Sequence, residues 1–251
     1  MTSSLISSRN APAKATELHA KASADFAAKL AETQALLRRA AAEFAPVTQA
    51  SSLGAEDVVI THLINSLQLD IPVFVLETGA LHTETLALLE RTQAHSRAPI
   101  HVFRPVQESV IQFVRDKGQD AIYKTIELRK ECCGIRKMEP LARALKGQKA
   151  WITGLRQEQS SARADVPLLD ESEVPTKGLY KFNPLAKWTW GDVWHYIATN
   201  QVDYNPLHDQ FFPSIGCAPC TRAISLGEEF RAGRWWWEDE AAKECGLHVK
   251  T

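Results

Sequence analysis

Cysteine is scarce and odd in number, five in 251 residues. That is too few, and too unevenly counted, for a disulfide scaffold. A surplus of one charge sign is missing too. Lys+Arg 29 against Asp+Glu 30 leaves a net charge of −1. No bulk field therefore draws nucleic acid or an anionic membrane, and any bound anion must be held by a local cluster. No uncharged apolar run approaches the roughly 18 residues of a membrane-spanning helix. The opening MTSSLISSRNAPAK lacks the apolar stretch of a secretory signal, and Glu17, Asp25 and Glu32 argue against an acid-poor transit peptide. A cytoplasmic, reducing setting is the expectation, and there clustered cysteines are more often metal ligands or catalysts than disulfides. Repeats and long low-complexity tracts are absent. What remains is 45% hydrophobic and 24% charged, which excludes a disordered chain, a collagen and a coiled coil.

The patterning that is present is α/β. Residues 1–15 are small and polar and expected to be disordered. Residues 16–44 are Ala- and Leu-rich and predict a helix, packed on the main domain or on a partner subunit as a homo-oligomer contact. Short apolar runs at 46–50, 71–77, 99–103 and 150–154 predict strands of the buried parallel kind. Helical spacing at 58–69, at 82–92 and from about 107 separates them. Strands alternating with helices in this way predict a parallel sheet with helices on both faces. From about 205 the pattern fails, and an irregular Cys-, Arg- and Trp-rich tail closes the chain. The expected divisions are 1–44, a nucleotide-binding domain over 45–237, and a mobile tail over 238–251.

Two loops sit where a parallel sheet places its ligand. SSLGAED (51–57) offers Ser51, Ser52 and Gly54, hydroxyls and open backbone N–H groups at the start of a helix, suited to a phosphate. It lacks the Gly-Lys-Ser/Thr ending of a Walker A loop. The plainer reading makes a serine the N-cap, with Glu56 and Asp57 complementing the helix dipole. LETG (76–79), with Glu77, Thr78 and Gly79, ends the next strand, and two such loops can hold two parts of one nucleotide.

The cysteines divide into adjacent Cys132 and Cys133, the C-x-x-C of Cys217 and Cys220, and Cys245. Four thiolates in two pairs suit a tetrahedral zinc or a 4Fe-4S cluster. A vicinal pair aims poorly at one small ion and better at neighbouring irons, which favours iron–sulfur. A redox dithiol at the C-x-x-C, or small buried residues at 132–133, would explain either pair alone. Cys245 has Lys243 and His248 nearby, which favour its thiolate; otherwise it is an incidental terminal thiol. Arg156 and Arg163 follow the fourth expected strand, and Arg222, Arg231 and Arg234 follow the C-x-x-C. In a nearly neutral chain these are forked donors concentrated for phosphate or sulfate, although surface solvation explains any single one. Trp235, Trp236 and Trp237 could wall a site, with packing expected for at least two of them.

SSLGAEDVV, LETGALHTET, ECCGIRKMEPL, TGLRQEQS, LYKFNPL, IGCAPCTR, GRWWWE and KECGLH, in that order from 51 to 248, resemble the assimilatory adenylyl-sulfate (APS) reductases and their phosphoadenylyl-sulfate (PAPS) relatives. The resemblance implies a fold like that of the adenine nucleotide alpha hydrolases. It implies one 4Fe-4S cluster on Cys132, Cys133, Cys217 and Cys220, and a nucleophile at Cys245. Lys137, Arg163, Arg231, Arg234 and His248 match positions around the phosphosulfate and the nucleophile. Ser51, Ser52 and Gly54 match the phosphate loop, and 77–79 an adenosine contact, where the family commonly has Asp in place of Glu77. The implied partners are adenylyl sulfate and reduced thioredoxin or a glutaredoxin-like dithiol. The cycle passes through an enzyme S-sulfocysteine, and the tail must move between substrate and dithiol. The rival readings are a PAPS reductase, an ATP pyrophosphatase of the same fold, and a non-catalytic, zinc-stabilised nucleotide-binding module.

Overall fold

The computed structural model describes residues 13–239. Two helices open it, α1 (Ala15–His19) and α2 (Phe26–Glu43), where the sequence predicts one. The interruption has a tertiary cause. The Ser23 backbone N–H and hydroxyl both donate to Asp192 Oδ1 at 2.7 Å, so a distant carboxylate replaces the helical ladder there. Lys29 pairs with the same carboxylate at 3.2 Å. Burial works against ionisation of Asp192, yet hydrogen bonds from Ser23, Thr189 and Lys29 bring its carboxyl down to about 2. Ala15, Leu37 and Ala40 join the main core, so both opening helices pack on this chain's own domain.

The strands follow as β1 (Val47–Ser51), β2 (Val73–Leu76) and β3 (Ile100–Phe103), with α3 (Ala55–Ser66) and α4 (Thr83–His95) as crossovers. Next come α5 (Gln107–Lys117), α6 (Ile126–Cys133), a π-helical turn (Gly134–Met138), α7 (Glu139–Leu145) and β4 (Ala150–Ile152). The chain continues through β5 (Leu169–Asp170), α8 (Val174–Lys177), β6 (Tyr180–Phe182) and α9 (Trp190–Asn200). The sheet order is β3-β2-β1-β4-β6-β5. All neighbours are parallel except β5 and β6, so the expected parallel sheet carries one antiparallel edge.

Side-chain alternation along the strands builds both faces. Val73 and Val75 of β2 and Ile152 of β4 enter the larger core with residues of α2, α3, α4 and α9. Phe74 and Trp151, one position out of phase, pack against Leu141 and Ala144 of α7 on the opposite face. The strand order places the site. From β1 the chain steps outward through β2 and β3, then returns to lay β4 on the other flank of β1. A crevice opens at such a reversal, beyond the C-terminal ends of the two central strands. Among the described residues no helix is long and apolar enough to cross a membrane.

Candidate active site

A cavity of about 200 Å³ fills that crevice, floored by the ends of β1, β2 and β4. Ser51, Ser52 and Gly54 line it, as read from the sequence. Gly54 precedes α3 in an extended conformation, and no side chain caps the helix. The helix therefore presents its first N–H groups and its positive dipole end to a ligand. Asp57 shapes the loop: Ser52 N–H and Oγ each donate to its Oδ2 at 2.7 Å. Leu53, held at φ 61°, seals the turn with a side chain only 1% exposed.

The plainer reading holds in part: Gly54, not a serine, is the N-cap, while Glu56 and Asp57 do occupy the first turn of α3, both of them buried acceptors. Glu56 Oε1 accepts from Arg156 Nε at 2.9 Å and from Gln159 Nε2 at 3.0 Å. Gln159 Oε1 in turn receives Arg163 Nη1 at 2.7 Å, so α3 positions an arginine of the opposite cavity wall through one glutamine. Burial pushes the Asp57 carboxyl up to about 6, against hydrogen bonds from Ser52 and Gly154 and with the Glu56 charge adding to the rise.

Gly154, at the end of β4, presses against this pair. A Cβ there would fall well inside van der Waals contact with Asp57 Oδ1 and 2.9 Å from Glu56 Cβ. Gly154→Ala is expected to cost about 1–3 kcal/mol of stability through overpacking and to weaken nucleotide binding. Thermal unfolding and AMP titration check both; an unchanged affinity would show that the 51–57 loop tolerates displacement.

Among the described residues four cations line the cavity: Lys137, Arg163, Arg231 and Arg234. Arg234 is 7% exposed, donates to the Ile215 carbonyl at 3.2 Å, and lies against Gly216, where a Cβ would collide with its guanidinium. A nearly neutral chain thus concentrates positive charge at one crevice, as an anion site requires. The two other arginines read from the sequence do not line it. Arg156 is fully buried, bonded to Glu56, Glu158 and the Trp188 carbonyl, with its guanidinium over the Trp190 and Phe230 rings. Arg222 forms a two-pronged pair with Glu228 at 2.8 and 2.7 Å.

The 76–79 loop joins the cavity to the cysteines. Thr78 lines the cavity, and its hydroxyl lies 3.2 Å from Cys217 Sγ. Leu81 and Cys217 form an antiparallel bridge, and Ala218 N–H donates to the Ala80 carbonyl at 2.7 Å. Gly79 takes φ 68°, with Arg136 filling the space a Cβ would need. Glu77 is engaged locally, accepting Gly79 N–H at 2.7 Å and Arg104 Nε at 3.0 Å; neither Glu77 nor Gly79 lines the cavity.

Cys132 and Cys133 end α6, and Cys217 and Cys220 pack with Trp235, Ile122 and Cys132 in one apolar cluster. Burial, with Cys217 and Cys133 adding, pushes the Cys220 thiol up to about 12. Burial also raises Cys132, opposed by Arg136 and Lys137. Thiols gathered this way ionise together only against a bound positive group, so the donor set fits a metal centre. Among the described residues no three Cys, His, Asp or Glu side chains meet at single-ion spacing. Arg129, which sequence reasoning missed, is 1% exposed beside Cys133; it pairs with Glu238 at 2.9 and 2.6 Å and lies over the Trp235 ring. Trp235 is buried and Trp237 packs on Tyr123 at 4.6 Å, whereas Trp236 is 40% exposed. Cys245 and His248 lie outside the described residues.

A mostly parallel α/β sheet with a cationic cavity at its switch point, joined through Thr78 to the cysteines, has the fold of a nucleotide-binding α/β protein. The family model of the phosphoadenosine phosphosulfate reductase domain matches residues 46–223, and the chain belongs to that family. It is 48% identical over 227 residues to the adenosine 5'-phosphosulfate reductase of Burkholderia cepacia, covering 90% of each chain. It is 52% identical over 200 residues to that of Neisseria meningitidis serogroup B, covering 79% of this chain and 80% of the other. Among solved structures, the phosphoadenylyl-sulfate reductase of Candida auris in complex with phosphate superposes with a TM-score of 0.65 at 28% identity. That match covers 76% of this chain and 90% of the other.

Proposed function

We propose that this chain reduces adenylyl sulfate to sulfite and AMP, with Cys245 as nucleophile and reduced thioredoxin or a similar dithiol protein as electron donor. The observation that carries the reading is the cavity itself. A phosphate-type helix N-terminus and four cations meet there, and Thr78 and Lys137 connect it directly to the cysteine site. Relatives near 50% identity bear the adenosine 5'-phosphosulfate name, which favours that substrate over the 3′-phosphorylated one.

The chemistry follows from the groups present. The 51–57 loop and the α3 N-terminus hold the phosphate. Lys137, Arg163, Arg231 and Arg234 surround the phosphosulfate oxygens and stabilise charge as the bridging S–O bond breaks. The Cys245 thiolate attacks the sulfur; AMP departs with the bridging oxygen and its electron pair, leaving an S-sulfonate on Cys245. One thiol of the donor then attacks Cys245 Sγ and expels sulfite. The second thiol resolves the mixed disulfide, so the donor is oxidised by two electrons and Cys245 returns as a thiolate.

Cys132, Cys133, Cys217 and Cys220 would hold a 4Fe-4S cluster. Consecutive positions on a helix point about 100° apart, so the 132–133 pair fans out toward two irons more readily than it converges on one zinc. Shared ligation by the two pairs would tie the C-x-x-C segment to α6, and the cluster would supply fixed charge near Lys137. Anaerobic steady-state assays with both sulfonucleotides test the assignment. A higher kcat/KM for adenylyl sulfate is expected; a higher value for the 3′-phosphorylated nucleotide would make the enzyme a PAPS reductase.

A further inference from the structure

Among the polar side chains of the cavity wall that the scheme leaves unused, His208 stands apart. His208 sits in the short 3₁₀ turn Pro206–Gln210 and lines the cavity with only 5% of its surface exposed. Neither ring nitrogen has a hydrogen-bond partner among the described residues. Its polar neighbours Asn205 and Asp209 are engaged. Asn205 donates to Thr85 Oγ1 at 2.8 Å and accepts Leu207 N–H at 3.1 Å, while Asp209 accepts Ala15 N–H at 2.7 Å and the Tyr204 hydroxyl at 2.9 Å. Trp194 and Trp190 meet the imidazole at centroid distances of 5.3 and 6.0 Å, fixing the ring without satisfying it. The Phe212 backbone lies nearby but completes no hydrogen bond to either nitrogen.

A buried polar group left unpaired costs a fold free energy, and the great majority are paired. Here the surrounding turn is anchored from three directions, and within it the His208 ring is left unpaired at the border of the ligand cavity. Glu56, at the N-terminus of α3, is close enough to act on the imidazole electrostatically, which places His208 at the phosphate-loop end. Burial pulls the imidazole down to about 4, with Glu56 opposing, so at neutral pH the ring is uncharged. It then offers one N–H donor and one acceptor nitrogen. The cavity already has four cations, and a neutral donor adds direction where further charge is not needed.

We infer that His208 is a substrate-contacting residue that donates a ring N–H to an oxygen of the bound phosphosulfate. This rests on the functional reading above and adds to it a neutral donor that fixes the orientation of the anion.

The test is a pair of variants, His208→Leu and His208→Gln, read by thermal unfolding, calorimetric AMP binding and steady-state kinetics with adenylyl sulfate. His208→Leu removes an unsatisfied buried group, so its Tm is expected to hold or rise while kcat/KM falls about 10- to 100-fold. His208→Gln retains an N–H donor and is expected to recover most of that loss. If the acceptor oxygen is on phosphate, AMP affinity falls in parallel; if it is on sulfate, AMP affinity is unchanged and only turnover falls. Either pattern supports the contact. Wild-type kcat/KM in both variants, or a lowered Tm in His208→Leu with no rescue by glutamine, would overturn it. Wild-type protein that binds no AMP would overturn the functional reading itself, and the His208 contact with it.

Discussion

Cys245→Ser is expected to abolish sulfite release, by at least about 10⁴-fold, because a serine hydroxyl is neither ionised nor soft enough to attack sulfur at neutral pH. In the proposed scheme the other four cysteines hold the cluster: Cys217 and Cys220 are buried, and Cys132 and Cys133 end α6. AMP binding is expected to stay at the wild-type level, since the described residues already bring the 51–54 loop and four cations to the cavity. Single-turnover AMP release and AMP titration separate the two effects. Retention of more than about one-tenth of the activity would place the nucleophile on another group.

Cys217→Ala carries the second large effect. Cys217 is 7% exposed, its sulfur contacts the Thr78 hydroxyl, and its backbone bridges to Leu81. Loss of one thiolate from a four-cysteine set is expected to drop the iron content from about four per chain to below one and to remove the visible absorbance. Sulfite release is expected to fall at least about 100-fold, because the loop that walls the cavity at Thr78 is anchored through this residue. Iron analysis and an anaerobic visible spectrum on wild type and variant decide it. One zinc per wild-type chain and no iron would reinstate the zinc-stabilised module.

The sequence was legible wherever a local pattern carried the structure. The apolar runs at 71–77, 99–103 and 150–154 contain β2, β3 and β4, and Ser51, Ser52, Gly54, Thr78, Lys137, Arg163, Arg231 and Arg234 all reach the cavity. What was not legible depends on partners far away in the chain. The break between α1 and α2 is imposed by Asp192, 169 residues from Ser23. β6 is a three-residue strand with a lysine at its centre, too short to show a period. Arg156 reads as an anion ligand from its place after β4, but its partner Glu56 lies 100 residues earlier. Arg129 depends on Glu238 in the same way, across 109 residues. His208 gives no signal in PLHDQ at all; only the unsatisfied ring in the cavity wall marks it.

In the proposed cycle one thiol accepts the sulfonate and an external dithiol must release it. Intact-protein mass spectrometry after incubation with adenylyl sulfate, without any reductant, tests this most directly. One equivalent of AMP released and a gain of one SO₃ unit per chain are expected, mapped to Cys245 and removed by reduced thioredoxin with release of sulfite. An unmodified chain after AMP release, or an adduct mapped to any of the other four cysteines, would contradict it.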